Sequence, residues 1–411
     1  MGRAAALIDH AGPVIALIDG EHHPAAVRDV IERLERERGL AGVIFCGGDE
    51  KLPPGPLERH YGRPVDPGPA EEGMRRLAGE GSVVVDLADE PVVPTARKLE
   101  LAALARELGL GWESPGADLE PPRFERIAFD GPVLAVIGTG KRTGKTAVAQ
   151  RWARLLADRG REPLIVCMGR GGPREPRVAE PGMGLDELIS LAADGEHAAS
   201  DYLEGAALAG VRTVGCRRVG GGPTGETAET NLREGALLAV SLGPDTLLLE
   251  GSGACIPPVE ADRTVCVAGI GPPEPFDDYR LGRADLVLLP KGAARRAPPG
   301  TAAITFELRP EPVEELPAGA RVACFTTGGP PPEGIDAPVA SIALARRGAL
   351  AADLDRAATE GCDVYLTELK AAAIDTVARR ALREGARVVF LRNRPVGLDG
   401  ELDAELVKLA G

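Results

Sequence analysis

The segment from Val133 to Ala147 constrains the fold of this chain more than any other. Its sequence, VLAVIGTGKRTGKTA, is an apolar run, then a glycine-rich stretch, then Gly144, Lys145 and Thr146 at the start of a helical pattern. Such an apolar run is typical of a buried strand, and glycines let the following backbone N–H groups turn inward towards an anion. The helix N-terminus adds a partial positive charge. The segment therefore predicts a phosphate-binding loop between a strand and a helix.

The spacing of this loop is longer than the strict phosphate-loop pattern. That pattern requires glycine five residues before Gly144, where Thr139 stands, and the spacing resembles that of dethiobiotin synthetase and its relatives. We expect Lys145 to reach the β- and γ-phosphates of ATP and Thr146 to hold Mg²⁺. The predicted nucleotide-binding residues of the loop are Gly138, Thr139, Gly140, Lys141, Arg142, Thr143, Gly144, Lys145, Thr146 and Ala147. The alternative is a glycine-rich turn that binds no ligand.

Short apolar runs alternate with longer helical patterns along most of the chain. This alternation predicts the α/β class with mainly parallel sheets. A stretch rich in proline and glycine ends at residue 122 and suits a linker. We therefore expect a smaller Rossmann-like α/β domain at 1–122, and a P-loop nucleotide-binding domain with a C-terminal α/β extension at 123–411. The strands predicted for the nucleotide-binding region are 133–137, 164–168, 246–249, 264–268 and 286–289.

Composition excludes several classes of function. The formal net charge of −14 disfavours nonspecific binding to nucleic acids and to anionic membranes. Apolar runs are too short to span a bilayer, and an acidic residue, Asp9, comes too early for a secretory signal, so we expect a cytoplasmic protein. The seven cysteines are scattered without metal-knuckle spacing, which predicts buried thiols and no structural zinc.

A second acidic element follows an apolar run at 246–249. Glu250 ends this predicted strand and begins the sequence EGSG, which again resembles dethiobiotin synthetase. In P-loop enzymes an acid at the end of a neighbouring strand binds Mg²⁺ directly or through water. Glu250 is therefore our candidate magnesium ligand together with Thr146. A simple strand terminus is the alternative.

Basic residues are concentrated at a few points of this acidic chain. Arg170 and Arg174 lie in a glycine-rich stretch after a predicted strand, and Arg217 and Arg218 precede a second glycine-rich stretch. Loops at the carboxyl ends of parallel strands line the ligand crevice, so these arginines suit a polyanionic substrate. Solvated basic loops are the alternative.

Polar residues also follow strands near both ends of the chain. A polar motif between a predicted strand and a helix contains Asp19, Glu21 and His22. One hypothesis is that these residues bind substrate or metal at the edge of the sheet, and the other is that they cap the helix. Near the C-terminus, Lys370 is placed to reach a phosphate and Asn393 to touch the nucleotide base. The alternative, to which we give equal weight, is that Lys370 and Asn393 are ordinary polar residues on the protein surface.

Taken together, these motifs resemble the cyclic 2,3-diphosphoglycerate synthetase family over most of the chain. The motifs that carry the resemblance are Asp19–His22, Gly138–Thr146, Gly169–Pro173 and Gly215–Arg218. The resemblance implies that ATP and 2,3-diphosphoglycerate are converted to ADP, phosphate and the cyclic pyrophosphate, and it implies a homodimer. Repulsion between the two substrate phosphates must be neutralised by cations, which is compatible with the arginines.

The resemblance gives each candidate residue a role. The catalytic residues implied are Lys145, Arg170, Arg217 and Arg218. The substrate-binding residues implied are Asp19, Glu21, His22, Arg170, Arg174, Arg217, Arg218 and Lys370. Two other hypotheses stay open: another P-loop ligase or kinase acting on a small anionic metabolite, and a nucleotide-switch ATPase that depends on a partner protein.

Overall fold

The computed structural model describes residues 12–117, 119, 122–194 and 196–411. The start of the chain, including Asp9, and parts of the predicted linker before residue 122 lie outside these residues. Two β-sheets organise the described chain, one of four strands and one of thirteen. The strands are mostly parallel, as the sequence predicts, and helices cover both faces.

The four-stranded sheet is entirely parallel, with strand order β2-β1-β3-β4. Its strands are β1 (Val14–Ile18), β2 (Leu40–Phe45), β3 (Val83–Asp86) and β4 (Gly111–Glu113). The accompanying helices are α1 (Pro24–Arg38), α2 (Leu57–Tyr61), α3 (Ala70–Leu77) and α4 (Thr95–Glu107), with a short 3₁₀ turn at Asp49–Lys51. Strand β4 and helix α2 were not predicted.

Alternation along β1 explains the three layers of this domain. Val14, Ala16 and Ile18 pack in one apolar cluster with α1, whereas Ile15 and Leu17 pack in another with residues of α3 and α4. A strand buried on both faces reads as a continuous apolar run, as this one does. Because the four strands are parallel, their carboxyl ends meet at one edge of the sheet, and the Asp19–His22 motif lies at this edge.

The thirteen-stranded sheet carries the phosphate loop and continues into the C-terminal region. Its strands are β5 (Val133–Gly138), β6 (Pro163–Gly169), β7 (Arg177–Ala179), β8 (Thr213–Val219), β9 (Glu229–Thr230), β10 (Thr246–Glu250), β11 (Arg263–Val267), β12 (Leu286–Pro290), β13 (Ala302–Pro312), β14 (Val322–Phe325), β15 (Val339–Ser341), β16 (Val364–Glu368) and β17 (Arg387–Gly397). The strand order is β15-β14-β16-β17-β13-β12-β11-β5-β10-β6-β8-β7, and β9 pairs with β8. Antiparallel pairing is confined to β13 with β17 and β8 with β7 and β9.

Helices pack on both faces of this second sheet. They are α5 (Lys145–Ala157), α6 (Leu185–Ala193), α7 (Asp201–Glu204), α8 (Leu232–Ser241), α9 (Asp277–Leu281), α10 (Arg347–Thr359), α11 (Arg379–Glu384) and α12 (Leu402–Leu409), with π-helical segments at Gly205–Ala209 and Ala373–Ala378. On one face Leu134 and Val136 of β5 pack with Trp152 of α5, and on the other face Val133 and Ala135 pack with residues of α8.

Strand β8 joins the two domains. Val219, at its end, is wholly buried in the apolar cluster of the N-terminal domain, against α1. The expectation that Arg217 and Arg218 lie in a basic loop is wrong, because both residues belong to strand β8, and the loop begins only at Gly220. Because side chains alternate along a strand, Arg217 and Arg218 of β8 must point to opposite faces of the sheet.

Candidate active site

The segment after β5 forms the strand–loop–helix arrangement that the sequence predicts. Strand β5 ends at Gly138, and α5 begins at Lys145 after Gly144, whose φ of 101° suits glycine. A Cβ on Gly138 would lie 2.8 Å from Thr143 Oγ1 and 2.9 Å from the carbonyl oxygen of Val267. Such contacts are too short, so only glycine fits at the start of this loop.

Lys145 lies folded over the loop. Its Nζ donates to the Gly140 carbonyl oxygen at 2.6 Å and to Thr143 Oγ1 at 3.4 Å. Burial lowers the pKa of Lys145 to about 8, and the carboxylates of Glu90 and Glu250 limit the decrease. The ammonium group is thus held at the loop by a carbonyl and a hydroxyl oxygen, both neutral acceptors, which charged phosphate oxygens can replace.

Thr146, in the first turn of α5, lies beside Glu250 at the end of the neighbouring strand β10. The Thr146 hydroxyl donates to Glu250 Oε1, and the Cys167 thiol donates to Glu250 Oε2 at 3.5 Å. Burial raises the pKa of the Glu250 carboxyl to about 8, and the carboxylate of Asp201 adds to the increase. A hydroxyl and a carboxylate beside a phosphate loop are oxygen ligands of the kind that Mg²⁺ prefers.

The donor set for a metal ion is small. In the described parts of the chain, no group of three or more His, Cys, Asp or Glu side chains is arranged to hold a metal ion. Mg²⁺ usually keeps several waters and uses one or two protein ligands together with substrate phosphates. Thr146 and Glu250 therefore fit a magnesium ion that is bound jointly with a nucleotide.

Arg170 and Arg218 converge on one carboxylate of the N-terminal domain. Arg170 donates to Asp89 Oδ2 through Nε at 3.0 Å and Nη2 at 2.6 Å, and Arg218 Nη2 lies 2.6 Å from the same oxygen. We call these three residues the Asp89 cluster. Burial opposes ionisation of Asp89, but the two guanidinium groups outweigh it and hold the pKa of the carboxyl well below its usual value. This cluster joins the two domains beside the loop.

Asp19 organises the first loop and is wholly buried. Its Oδ1 accepts hydrogen bonds from the backbone N–H of Glu21 at 2.9 Å and of His22 at 3.0 Å, and from His22 Nδ1 at 2.8 Å. Its Oδ2 accepts from the backbone N–H of Asp89 at 2.7 Å. The carboxylate of Asp19 is therefore fully engaged within the protein, and His22 is buried beside it.

Glu21 instead faces cations. Its Oε2 forms ion pairs with Lys51 and Lys141, and Arg170 Nη1 lies 3.7 Å away. These cations come from the N-terminal domain, from the phosphate loop and from the loop after β6. Glu21 therefore lies at the boundary between the domains, beside the nucleotide loop.

The other predicted arginines lie apart from this centre. Arg217 pairs with Asp29 of α1, and Arg174 Nε lies 3.8 Å from the same carboxylate, with 75% of the Arg174 side chain exposed. The structure thus separates the four arginines into a buried pair at the Asp89 cluster and a pair near the surface of α1.

Lys370 and Asn393, of the C-terminal region, each lie near a carboxylate. Lys370 Nζ is 3.8 Å from Glu204 Oε1, and Asn393 Nδ2 donates to Glu368 Oε1 at 2.7 Å. Asn393 and Gln150 line a cavity of about 20 Å³. Contact between Asn393 and the nucleotide base stays a prediction.

Arg295 is a buried residue of the site that the sequence analysis missed. It donates to Thr139 Oγ1 of the loop and to the Pro272 carbonyl oxygen at 2.7 Å, and its Nη2 lies 2.6 Å from Asp277 Oδ2. The backbone N–H of Gly269 donates to the same Thr139 oxygen at 2.8 Å. Arg295 therefore ties the phosphate loop to the proline-rich loop after β11.

Replacing Arg295 with alanine should raise the KM for ATP by about 10- to 100-fold, because a charged hydrogen bond contributes about 1.5–3 kcal/mol. The KM for the second substrate should change much less, since Thr139 belongs to the nucleotide loop. Steady-state kinetics with each substrate varied in turn measures this split. The matched control is Arg296→Ala, which removes an exposed neighbour. Equal changes in both KM values would contradict this role.

Comparison with known proteins supplies the family. Three family models match: the N-terminal, P-loop and C-terminal domains of cyclic 2,3-diphosphoglycerate synthetase, at residues 13–120, 133–296 and 334–394. The chain belongs to the cyclic 2,3-diphosphoglycerate synthetase family. The predicted resemblance to this family is therefore confirmed.

Curated relatives in this family match nearly the whole chain. A cyclic 2,3-diphosphoglycerate synthetase from Rubrobacter xylanophilus is 42% identical, covering 96% of this chain and 97% of the relative. A relative with the same name from Methanothermus fervidus is 34% identical, covering 96% of this chain and 96% of the relative. Another, from Methanothermobacter thermautotrophicus, is 35% identical, covering 96% of this chain and 95% of the relative.

No helix in the described part of the chain is long and apolar enough to cross a membrane.

Proposed function

We propose that this protein uses ATP to convert 2,3-diphosphoglycerate into cyclic 2,3-diphosphoglycerate, releasing ADP and phosphate. The observation that carries the proposal is the convergence of Lys145 of the phosphate loop with Lys51, Lys141 and Arg170 at one domain boundary. A nucleotide site beside a concentration of buried and partly buried cations suits a reaction between two polyanions. The family membership of the chain supports the same substrate.

The reaction requires two phosphoryl transfers. In the first, an oxygen of one substrate phosphate attacks the γ-phosphorus of ATP, the bond to ADP breaks, and ADP leaves. In the second, an oxygen of the other substrate phosphate attacks the phosphorus of the activated substrate phosphate. The phosphoryl group received from ATP then leaves as orthophosphate, and the ring closes. Neither step needs a protein nucleophile. The protein therefore has to bind the two substrates, orient their phosphates and neutralise the charge on them.

The side chains of the site suit these tasks. Lys145 would bind the β- and γ-phosphates, and Arg170 would bind substrate phosphate at the boundary with the N-terminal domain. Arg218 would act through Asp89, since its guanidinium is wholly buried and donates to the carbonyl oxygens of Gly220 and Ser252. Arg217 and Lys370 stay proposed contacts for an incoming anion.

Thr146 and Glu250 are the residues that would hold Mg²⁺, whose charge neutralises the triphosphate. Replacing Glu250 with glutamine should raise the Mg²⁺ concentration for half-maximal activity by about 10- to 100-fold. Substitution of residues that support a bound metal ion typically lowers metal affinity by this factor. The glutamine keeps an oxygen that accepts from Thr146. Titrating activity with Mg²⁺ measures the change, and Glu260→Gln, with half of the side chain exposed, is the control. An unchanged Mg²⁺ requirement would exclude Glu250 as a ligand.

Phosphorus NMR tests the proposed reaction directly. Protein, ATP, Mg²⁺ and 2,3-diphosphoglycerate should give the resonances of a cyclic pyrophosphate, with ADP and orthophosphate in equal amounts. ADP formation with a different acceptor from a panel of small anions would favour another P-loop kinase or ligase. Hydrolysis that no small molecule stimulates would favour a switch ATPase.

We further propose that the chain works in the cytoplasm as a homodimer. The resemblance supports the dimer, and the metabolic substrate supports the location. Light scattering of the purified protein tests the first point: a mass near twice 42.8 kDa is expected, and a monomer that is fully active would overturn it.

A further inference from the structure

A single carboxylate oxygen at the domain boundary faces three cations. Glu21 Oε2 pairs with Lys51 and Lys141, and Arg170 Nη1 lies 3.7 Å from it. The Glu21 side chain is only 2% exposed, and the Arg170 side chain 9%. Desolvated charges in such numbers are costly unless each is compensated. We refer to Lys51, Lys141 and Arg170 as the Glu21 cradle.

Nearby carboxylates offset only part of this positive charge: Asp19 and Glu50 act on Lys51, and Asp19 and Asp201 act on Lys141, yet the pKa of each lysine stays lowered. Asp19 is engaged by His22 and by backbone N–H groups, and Asp89 is shared by Arg170 and Arg218. Burial lowers the pKa of Lys51 to about 7 and that of Lys141 to about 6, and in both cases the guanidinium of Arg170 is the next largest cause. The charged forms of both lysines are thus weakly favoured while Glu21 alone pairs with them, and a phosphate dianion in their place would favour those charged forms.

The cradle adjoins the nucleotide loop and is fixed in position. Lys141 follows Gly140, whose carbonyl oxygen accepts from Lys145 Nζ at 2.6 Å. Lys51 ends the short turn of the N-terminal domain, and its carbonyl oxygen accepts from Arg347 Nε at 3.2 Å. A group bound in the cradle would therefore lie beside the phosphates that Lys145 binds.

We propose that the Glu21 cradle binds one phosphate group of the substrate, and that the Glu21 carboxylate holds this place until the phosphate displaces it. A phosphate dianion has three terminal oxygens and two charges for three cations, whereas the carboxylate brings one charge through one oxygen. The inference deepens the proposed function, on which it rests: Glu21 competes with the substrate rather than binding it.

Titration calorimetry without ATP tests this inference. With 2,3-diphosphoglycerate as the probe, Glu21→Gln should lower the Kd by about tenfold, and Lys51→Met should raise it by about tenfold, the effect of one charged hydrogen bond. Inorganic phosphate should show the same order of affinities. Lys51→Arg should restore much of the binding. Controls are Glu80→Gln and Lys291→Met, which remove the same charges from exposed residues.

Equal or weaker binding of both probes by Glu21→Gln would overturn the inference, as would a Lys51→Met variant that binds like the unaltered protein. Thermal melting checks that each variant is folded, and if Glu21→Gln is not, the comparison of Lys51→Met with Lys51→Arg decides. The binding measurement needs no turnover. Absence of cyclic product by NMR, with Glu21→Gln binding phosphate more tightly, would reject the reaction and keep the phosphate site.

Discussion

Replacing Lys145 with alanine should lower kcat by about 10³-fold, the upper range for loss of one donor that stabilises transition-state charge. The Lys145 ammonium lies directly against the loop, where it donates to the Gly140 carbonyl oxygen and to Thr143 Oγ1. Without it, the charge on the transferring phosphoryl group loses its nearest partner in a buried setting, where each interaction is strong. Production of ADP and of cyclic product should fall together.

The fold should survive this change, because Lys145 belongs to neither apolar cluster of this sheet and its removal also removes a charge that burial penalises. Thermal melting checks this point, and Lys291→Ala, with 72% of the side chain exposed, controls for the loss of a lysine after a strand of the same sheet. Turnover that stays within a few-fold of the original would rule out the phosphate-loop assignment.

Replacing Asp89 with asparagine should lower the free energy of unfolding by about 3–5 kcal/mol at pH 7, because removing one partner leaves buried charges uncompensated. Two guanidinium groups, of Arg170 and Arg218, share this carboxylate, and their side chains are 9% and 0% exposed. Activity should fall as well, since the cluster holds Arg170 beside Glu21. Chemical denaturation measures the loss of stability.

The pH dependence of this difference has a definite sign. The pKa of Asp89 in the folded protein is depressed well below the ordinary value of 3.8. The stabilisation is therefore fully present above about pH 4 to 5, and it is lost as the pH falls through the folded-state pKa. The gap between Asp89→Asn and the unaltered protein should be constant from pH 5 to 8 and close only in stronger acid.

A matched control comes from the surface. Asp355 pairs with Arg380 Nη2 at 3.0 Å, but 70% of the Asp355 side chain is exposed. Asp355→Asn should cost less than about 1 kcal/mol, as is usual for solvated ion pairs. A similar small loss for Asp89→Asn would show that the Asp89 cluster does not hold the domains together.

The phosphate loop could be predicted from the sequence because its determinants are local. Gly138, Gly144 and Lys145 are set by the strand, the turn and the helix N-terminus within one short segment, and each lies where its residue type predicts. The position of Glu250 beside the loop was predictable for the same reason, since a carboxylate that ends a buried strand lies at the carboxyl edge of the sheet. Its role as a magnesium ligand stays a prediction.

Strand β8 could not be predicted in the same way. Its sequence around Arg217 and Arg218 is charged and runs into glycines, without the long apolar run that marks the other central strands. Pairing with β6 and burial of Val219 against the N-terminal domain make it a strand. Tertiary packing here overrides local preference.

The contacts that build the site are also distant in sequence. Arg170 meets Asp89 across 81 positions, and Arg295 meets Thr139 across 156. No periodicity or spacing links such pairs, so the sequence identifies the charged residues but not their partners. Glu21 illustrates the consequence: the sequence indicates a polar loop after a strand, whereas the structure surrounds it with cations.

The decisive experiment is a crystal structure with a non-hydrolysable ATP analogue, Mg²⁺ and 2,3-diphosphoglycerate. We expect the triphosphate within residues 138–146, with Lys145 Nζ on the β- and γ-phosphates. We also expect a substrate phosphate between Lys51, Lys141 and Arg170, with the Glu21 carboxylate moved away. A nucleotide bound elsewhere, with this loop empty, would show that residues 138–146 are not the nucleotide site.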